Sequence, residues 1–155
     1  MPVEIERKFL VISDAWRDAA GPGERLEQAY VAQEDHASVR VRLSEDRAWL
    51  TLKSARTGII RDEFEYEVSL TDARDMLARL CPGPIIEKTR YRVPYAGQVW
   101  EVDVFAGSAA GLVMAEVELA SPDERLDLPP WVGREVTDDP RFRNSALALD
   151  LSVLA

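Results

Sequence analysis

Few folds can accommodate this sequence, because period-two alternation recurs along nearly its whole length and one of the two faces is charged almost every time. In "VEIERKFLV" (Val3 to Val11) the even positions Glu4, Glu6 and Lys8 share one face, while Val3, Ile5, Phe9 and Val11 share the other, interrupted by Arg7. Residues two apart on a strand point the same way, so each such run predicts a strand with one ionic and one apolar side. The pattern returns in "RLEQAYVAQ" from Arg25, "ASVRVRLS" from Ala37, "RAWLTLKS" from Arg47 and "RDEFEYEVSL" from Arg61. Three more runs follow: "IIEKTRYRVPY" from Ile85, "QVWEVDVF" from Gln98 and "LVMAEVELA" from Leu112. Glu45-Asp46 and Ala96-Gly97 read as tight hairpin connections.

The charged faces are sorted by sign. Acids fall on the first strand (Glu4, Glu6), the fifth (Glu63, Glu65, Glu67), the seventh (Glu101, Asp103) and the eighth (Glu116, Glu118). Bases fall on the third (Arg40, Arg42), the fourth (Lys53) and the sixth (Lys88, Arg90, Arg92). A sheet with one solvated face and cross-strand ion pairs is the plain explanation for any single strand. It fits the whole set less well, because like charges at i and i+2 repel and add nothing to the fold. The repetition makes sense where a ligand supplies the opposite charge.

Between the fifth and sixth runs, "TDARDMLARLCPG" predicts a helix from Thr71 to Leu80, with Thr71 as its cap and Pro82-Gly83 ending it. A loop is expected over Pro129-Pro130-Trp131, and a short terminal helix from about Asn144. About eight strands with few helices, in hairpin order, argue for an antiparallel barrel or sandwich. If the sheet closes, the charged faces line a lumen that must be wet and occupied, since a dry one would be severely penalised. Basic walls suit phosphate oxygens and clustered carboxylates suit a hard divalent cation. A pocket with both suits a metal–polyphosphate complex.

Other chemistries lack their residues. The chain of 155 residues holds one histidine, His36, and one cysteine, Cys81, which leaves no zinc cluster, no Cys–His pair and no internal disulfide. No P-loop is present. A net charge of −9 argues against coating a duplex, so no nucleic-acid binding is expected. Trp49 and Trp100 are expected to pack in the barrel wall and Cys81 to be a packing residue. No signal peptide and no apolar run of about 18 residues is evident, so the expected compartment is the cytoplasm, with no membrane contact.

Taken in order, "EIERKF", "VRVR", "TLK", "EYEV", "EKTRY", "WEVDVF", "AEVEL" and "PPWVGREVTDDPRFRNSALA" resemble the CYTH domain, the triphosphate tunnel metalloenzymes, and within it the short single-domain bacterial branch. The resemblance covers nearly the whole chain. It implies one domain over residues 1–155, folded as an eight-stranded antiparallel closed tunnel-like barrel with a few flanking helices. It implies a metal-dependent hydrolase of triphosphates, with inorganic triphosphate favoured and Mg²⁺ or Mn²⁺ as cofactor. ATP cyclisation, thiamine or nucleoside triphosphatase activity, and a non-catalytic polyphosphate- or nucleotide-binding module stay open beside it, as does a homodimer. By motif, Glu4, Glu6, Asp103, Glu116 and Glu118 would hold the metal, and Lys8, Arg40, Arg42, Lys53, Lys88 and Arg90 the phosphates. Tyr30 would accept a proton, Lys8 would sit at the reacting centre, and Glu63 and Glu65 are further tunnel acids. Two departures from the pattern, Gln28-Ala29-Tyr30-Val31 and Thr51-Leu52-Lys53-Ser54, leave its charged positions intact.

Overall fold

A computed structural model describes residues 3–55 and 59–142. Among these residues nine strands run in chain order: β1 (Val3–Val11), β2 (Glu24–Gln33), β3 (Ala37–Leu43), β4 (Ala48–Ser54), β5 (Ile60–Val68), β6 (Ile86–Tyr95), β7 (Gln98–Phe105), β8 (Val113–Glu118) and β9 (Val132–Glu135). One α-helix, α1 (Leu70–Arg79), lies between β5 and β6. Hydrogen bonds link them in the order β5-β4-β3-β2-β6-β7-β8-β1, and β1 returns to β5. Every pairing in the ring is antiparallel, so eight strands close into a barrel.

Closure depends on β1. One edge pairs with β8 over Glu6 to Leu10. The other edge is divided: Val3 to Ile5 pair with β5, and Phe9 and Val11 pair with the short β9. The hairpin turns read from sequence are present. Ser44 N–H donates to Arg47 C=O across Glu45-Asp46 at 2.8 Å. Ala96 and Gly97 both take positive φ (48° and 82°), the geometry of the two-residue turn that matches strand twist.

The apolar faces point outward and are covered by flanking segments. Phe9, Trp100, Val102, Ala115 and Val117 pack with Trp16 and Trp131, which lie outside the ring. Trp100 is fully buried, with ring contacts at 5.5 Å to Phe9 and 5.7 Å to Trp131. Helix α1 covers Val41, Leu43 and Ala48 with Ala73, Met76 and Leu77. Phe64 and Tyr66 are exposed on the outer face of β5, a face the alternation marks as apolar.

A third apolar cluster positions the site. Phe105 pairs with Lys88, Met114 with Asp103 and Ile86 with Gln28. Directly paired residues share a face, so these three apolar side chains lie on the inner side, below the charges. With Phe142 they form a buried apolar cluster.

Two sequence expectations are corrected. The helix cap is Ser69, not Thr71: Ser69 Oγ accepts from Asp72 N–H at 3.0 Å, and the helix begins one residue before Thr71. Ser69-x-x-Asp72 places the acid three residues after the cap, where it also meets the helix dipole. The Pro129-Trp131 loop leads into an unexpected strand, β9. Gly133 permits its close approach, because a Cβ there would meet Ile12 Cγ2 at 2.4 Å. The terminal helix expected from Asn144 lies outside the described residues. Among the described residues no helix is long and apolar enough to cross a membrane.

Candidate active site

Closing the ring turns the sign pattern of the strands into two walls. Read around the barrel, β5, β1, β8 and β7 are neighbours and carry the acids. The remaining arc is β6, β2, β3 and β4; its bases come from β6, β3 and β4, while β2 contributes Glu24 and Tyr30 to the lining. The lumen between them is a cavity of about 620 Å³. Glu4, Glu6, Lys8, Tyr30, Arg40, Arg42, Lys53, Glu63, Glu65, Arg90, Glu116 and Glu118 all line it. Lys88 and Asp103 stand apart: both are almost wholly buried and lie outside the cavity lining.

The basic wall is held from behind. Asp103 accepts from Lys88 Nζ at 2.7 Å and from Arg90 Nε and Nη2 at 2.8 and 2.9 Å. Burial alone would raise the Asp103 carboxyl, but Arg90 and Lys88 hold it below the usual carboxylate range. Burial pushes Lys88 down to about 7 although Asp103 opposes it. The direct contact with a carboxylate itself held low decides in favour of an ionic pair at neutral pH. Asp103 thereby fixes Arg90, whose Nη2 reaches towards Glu116 Oε2 at 3.6 Å. Arg42 donates from Nε to Gln28 Oε1 at 2.8 Å. Burial, with Arg40 and Arg90 nearby, lowers it to about 9. Thr51 accepts from Arg40 Nη2 at 3.4 Å and donates to Glu65 Oε2 at 2.8 Å, so one hydroxyl joins two lumen charges.

The acidic wall is paired unevenly. Glu4 faces Lys53 Nζ at 2.9 Å and Arg61 Nε at 3.5 Å. Burial would raise its carboxyl, but Lys53, a hydrogen bond with Glu6 and Arg61 bring it down to about 2. Glu116 lies 3.6 Å from Lys8 Nζ. Burial opposes its ionisation, yet Lys8, Arg90, Lys88 and Lys53 hold it well below the ordinary value. Glu6 has no ion pair among the described residues; burial, Glu116 and Glu4 push its carboxyl well above the ordinary value. Glu118 is raised by burial and by Glu4, Glu63 and Glu101.

This is the donor set a hard cation takes: Glu4 and Glu116 stand close enough to Glu6 to raise its carboxyl, and Glu4 Oε2 is buried without a hydrogen-bond partner among the described residues. Among the described residues no three acidic, His or Cys side chains are already gathered into a metal site. Glu4, Glu6, Glu116 and Glu118 would have to draw together on the ion.

Several lining residues escaped sequence reasoning. Arg61 lines the cavity, and its parity with Glu63 and Glu65 on β5 was the available signal. Trp49, expected in the wall, is also on the lumen side, for it shares a face with Thr51 and Lys53. Glu24 lines the cavity as well, beside Arg92 and Glu101, which the sequence already placed on charged strand faces.

A closed antiparallel barrel with ionic walls of opposite sign defines a tunnel-type site for a charged ligand. The chain belongs to the CYTH domain family, whose family model matches residues 2–146. An inorganic triphosphatase of Acetivibrio thermocellus is 46% identical over 147 residues, covering 95% of this chain and 94% of that one. One of Nitrosomonas europaea is 40% identical over 153 residues, covering 96% and 98%. The crystal structure of the inorganic triphosphatase NE1496 superposes with a TM-score of 0.67 at 36% identity, covering 97% of each chain. The Hippeastrum protein HpAC1, with a TM-score of 0.59 at 14% identity, shares the fold.

Proposed function

We propose that this protein is a divalent-metal-dependent triphosphatase that cleaves a terminal phosphoanhydride of inorganic triphosphate. The observation that carries this reading is the division of one lumen into a basic and an acidic half. A linear polyanion with a bound cation is the ligand whose own charges match both halves. Identity of 40–46% to two inorganic triphosphatases over nearly full length supports it.

Arg40, Arg42, Lys53 and Arg90 would grip the phosphate oxygens, Arg through its planar fork and Lys as a point charge. Glu4, Glu6, Glu116 and Glu118 would hold Mg²⁺ or Mn²⁺. When bound, that ion neutralises phosphate charge and polarises a phosphoryl oxygen. Lys8, between the two walls at Glu116, would steady the transferring phosphoryl group. The chain positions the terminal phosphorus for in-line attack by water, and Tyr30 on β2 would take up the proton. Lys88 and Asp103 act from behind, fixing Arg90 before substrate arrives, which is how electrostatic preorganisation lowers a barrier.

Trp49 favours a second reading, because an indole on the lumen side could stack on a base. A panel of inorganic, nucleoside and thiamine triphosphates with product analysis separates the alternatives. Orthophosphate plus pyrophosphate from inorganic triphosphate is the expected outcome. Cyclic nucleotide plus pyrophosphate would replace it with a cyclase, and binding without turnover in Mg²⁺ or Mn²⁺ would leave a binding module.

A further inference from the structure

We propose that Arg61 is a further phosphate-gripping residue of the lumen, restrained by Glu4 until a cation engages Glu4. The inference rests on the triphosphate reading and deepens it. Arg61 is the register partner of Glu4 across the β1–β5 seam, where the barrel closes. Arg61 lines the cavity, and its Nε stands 3.5 Å from Glu4 Oε2, buried with no hydrogen-bond partner among the described residues. No hydrogen bond from the guanidinium fork is present among the described residues. A buried guanidinium nitrogen with no acceptor among the described residues carries a desolvation cost that an anionic ligand in the lumen can offset.

Glu4 also faces Lys53 at 2.9 Å, so one carboxylate restrains two cations. A divalent ion on Glu4 competes for the same oxygens. Once Glu4 neutralises that ion, the attraction holding Arg61 and Lys53 to the acidic wall falls. Both then turn their donors to anionic cargo in the lumen. Metal and phosphate thereby favour each other beyond any direct contact between them, a coupling between two sites in the thermodynamic sense. The sequence hides this, because Arg61 is the lone base on a run of acids.

The test is a double-mutant cycle read by calorimetric titration of inorganic triphosphate with metal removed by chelator. The four proteins are wild type, Glu4→Gln, Arg61→Gln and the double variant, each checked for fold by circular dichroism. Glu4→Gln is expected to bind about tenfold tighter than wild type without metal. Arg61→Gln should then weaken binding about tenfold in the Glu4→Gln background and less than about twofold in wild type. Arg61→Lys, which keeps the charge, should retain part of the gain and guards against a folding defect. Equal losses from Arg61→Gln in both backgrounds would overturn the restraint by Glu4. No loss in either would overturn Arg61 as a ligand. Absence of triphosphate binding by all four, with and without Mg²⁺, would overturn the triphosphate reading along with it.

Discussion

Asp103 stands behind the lumen lining as the direct counter-charge of two buried cations, Lys88 and Arg90. Asp103→Asn removes the direct counter-charge of buried Lys88 and leaves Arg90 with only its longer contacts to Glu101 and Glu116, at 3.3 and 3.6 Å. Breaking a buried pair from one side costs about 3–5 kcal/mol, so a melting temperature lower by roughly 6–20 °C is expected. A loss under about 1 kcal/mol in urea unfolding would mean the cations relax to other partners. Arg40 differs: among the described residues its side-chain polar contacts are Thr51 and, at 3.9 Å, Glu65. Arg40→Ala should leave the fold intact and weaken triphosphate binding by about ten- to a hundredfold. Glu116→Ala should chiefly raise the Mg²⁺ concentration needed for half-maximal activity. If neither substitution alters activity, the ligand assignment is wrong. Most of these residues could be read from sequence because strand parity fixes which side chains share a face. Which cation meets which acid could not, since Lys53 reaches Glu4 only after strands far apart in sequence are joined.

Among the elements, β1 shows where local pattern stops being informative. Its charged face is evident from six residues, but its division between β5 and β9 depends on partners about 57 and about 125 positions away. β9 itself is four residues long, too short for any period to register. It is clamped by Arg7, whose Nη2 and Nε donate to Glu135 at 2.7 and 3.0 Å. Hydrogen bonding from Arg7 holds the Glu135 carboxyl below its ordinary value of 4.5, against partial burial. A carboxylate lowered by folding stabilises the native state above its unfolded pKa, and that contribution disappears as pH falls through the folded value. The pair is over a third exposed on the Glu135 side, so its worth is about 0.5 kcal/mol. Wild type should exceed Glu135→Gln by that amount in urea unfolding at pH 7, and the gap should close in acid. For α1, the cap correction is itself testable. Ser69→Ala should cost about 1 kcal/mol and Thr71→Ala far less, whereas the reverse order would restore Thr71 as the cap.

For the molecule as a whole, the ring order matters more than any pair, and it is the step that strand patterns alone left open between barrel and sandwich. Only a closed ring brings β5 beside β1 and so places Glu4 within reach of Lys53 and Arg61. That arrangement predicts how ligands act on stability. Without metal, Glu4, Glu6 and Glu116 crowd one another, so carboxylate repulsion is stored in the acidic half. A polyanion entering alone meets a restrained basic wall and an acidic wall that repels it. A divalent ion entering alone relieves the carboxylates but leaves the basic half uncompensated. Each should therefore stabilise weakly, and the two together by more than the sum. Ligand at about 100 times its dissociation constant contributes ~2.7 kcal/mol, which for a chain of this size raises the melting temperature by roughly 5–10 °C. Thermal melts with Mg²⁺ alone, inorganic triphosphate alone and both together measure this directly. Strictly additive shifts would mean that the two walls act as independent sites. No shift under any of the three conditions would mean that the ionic lumen is a solvated surface and that the fold carries its charges for another purpose.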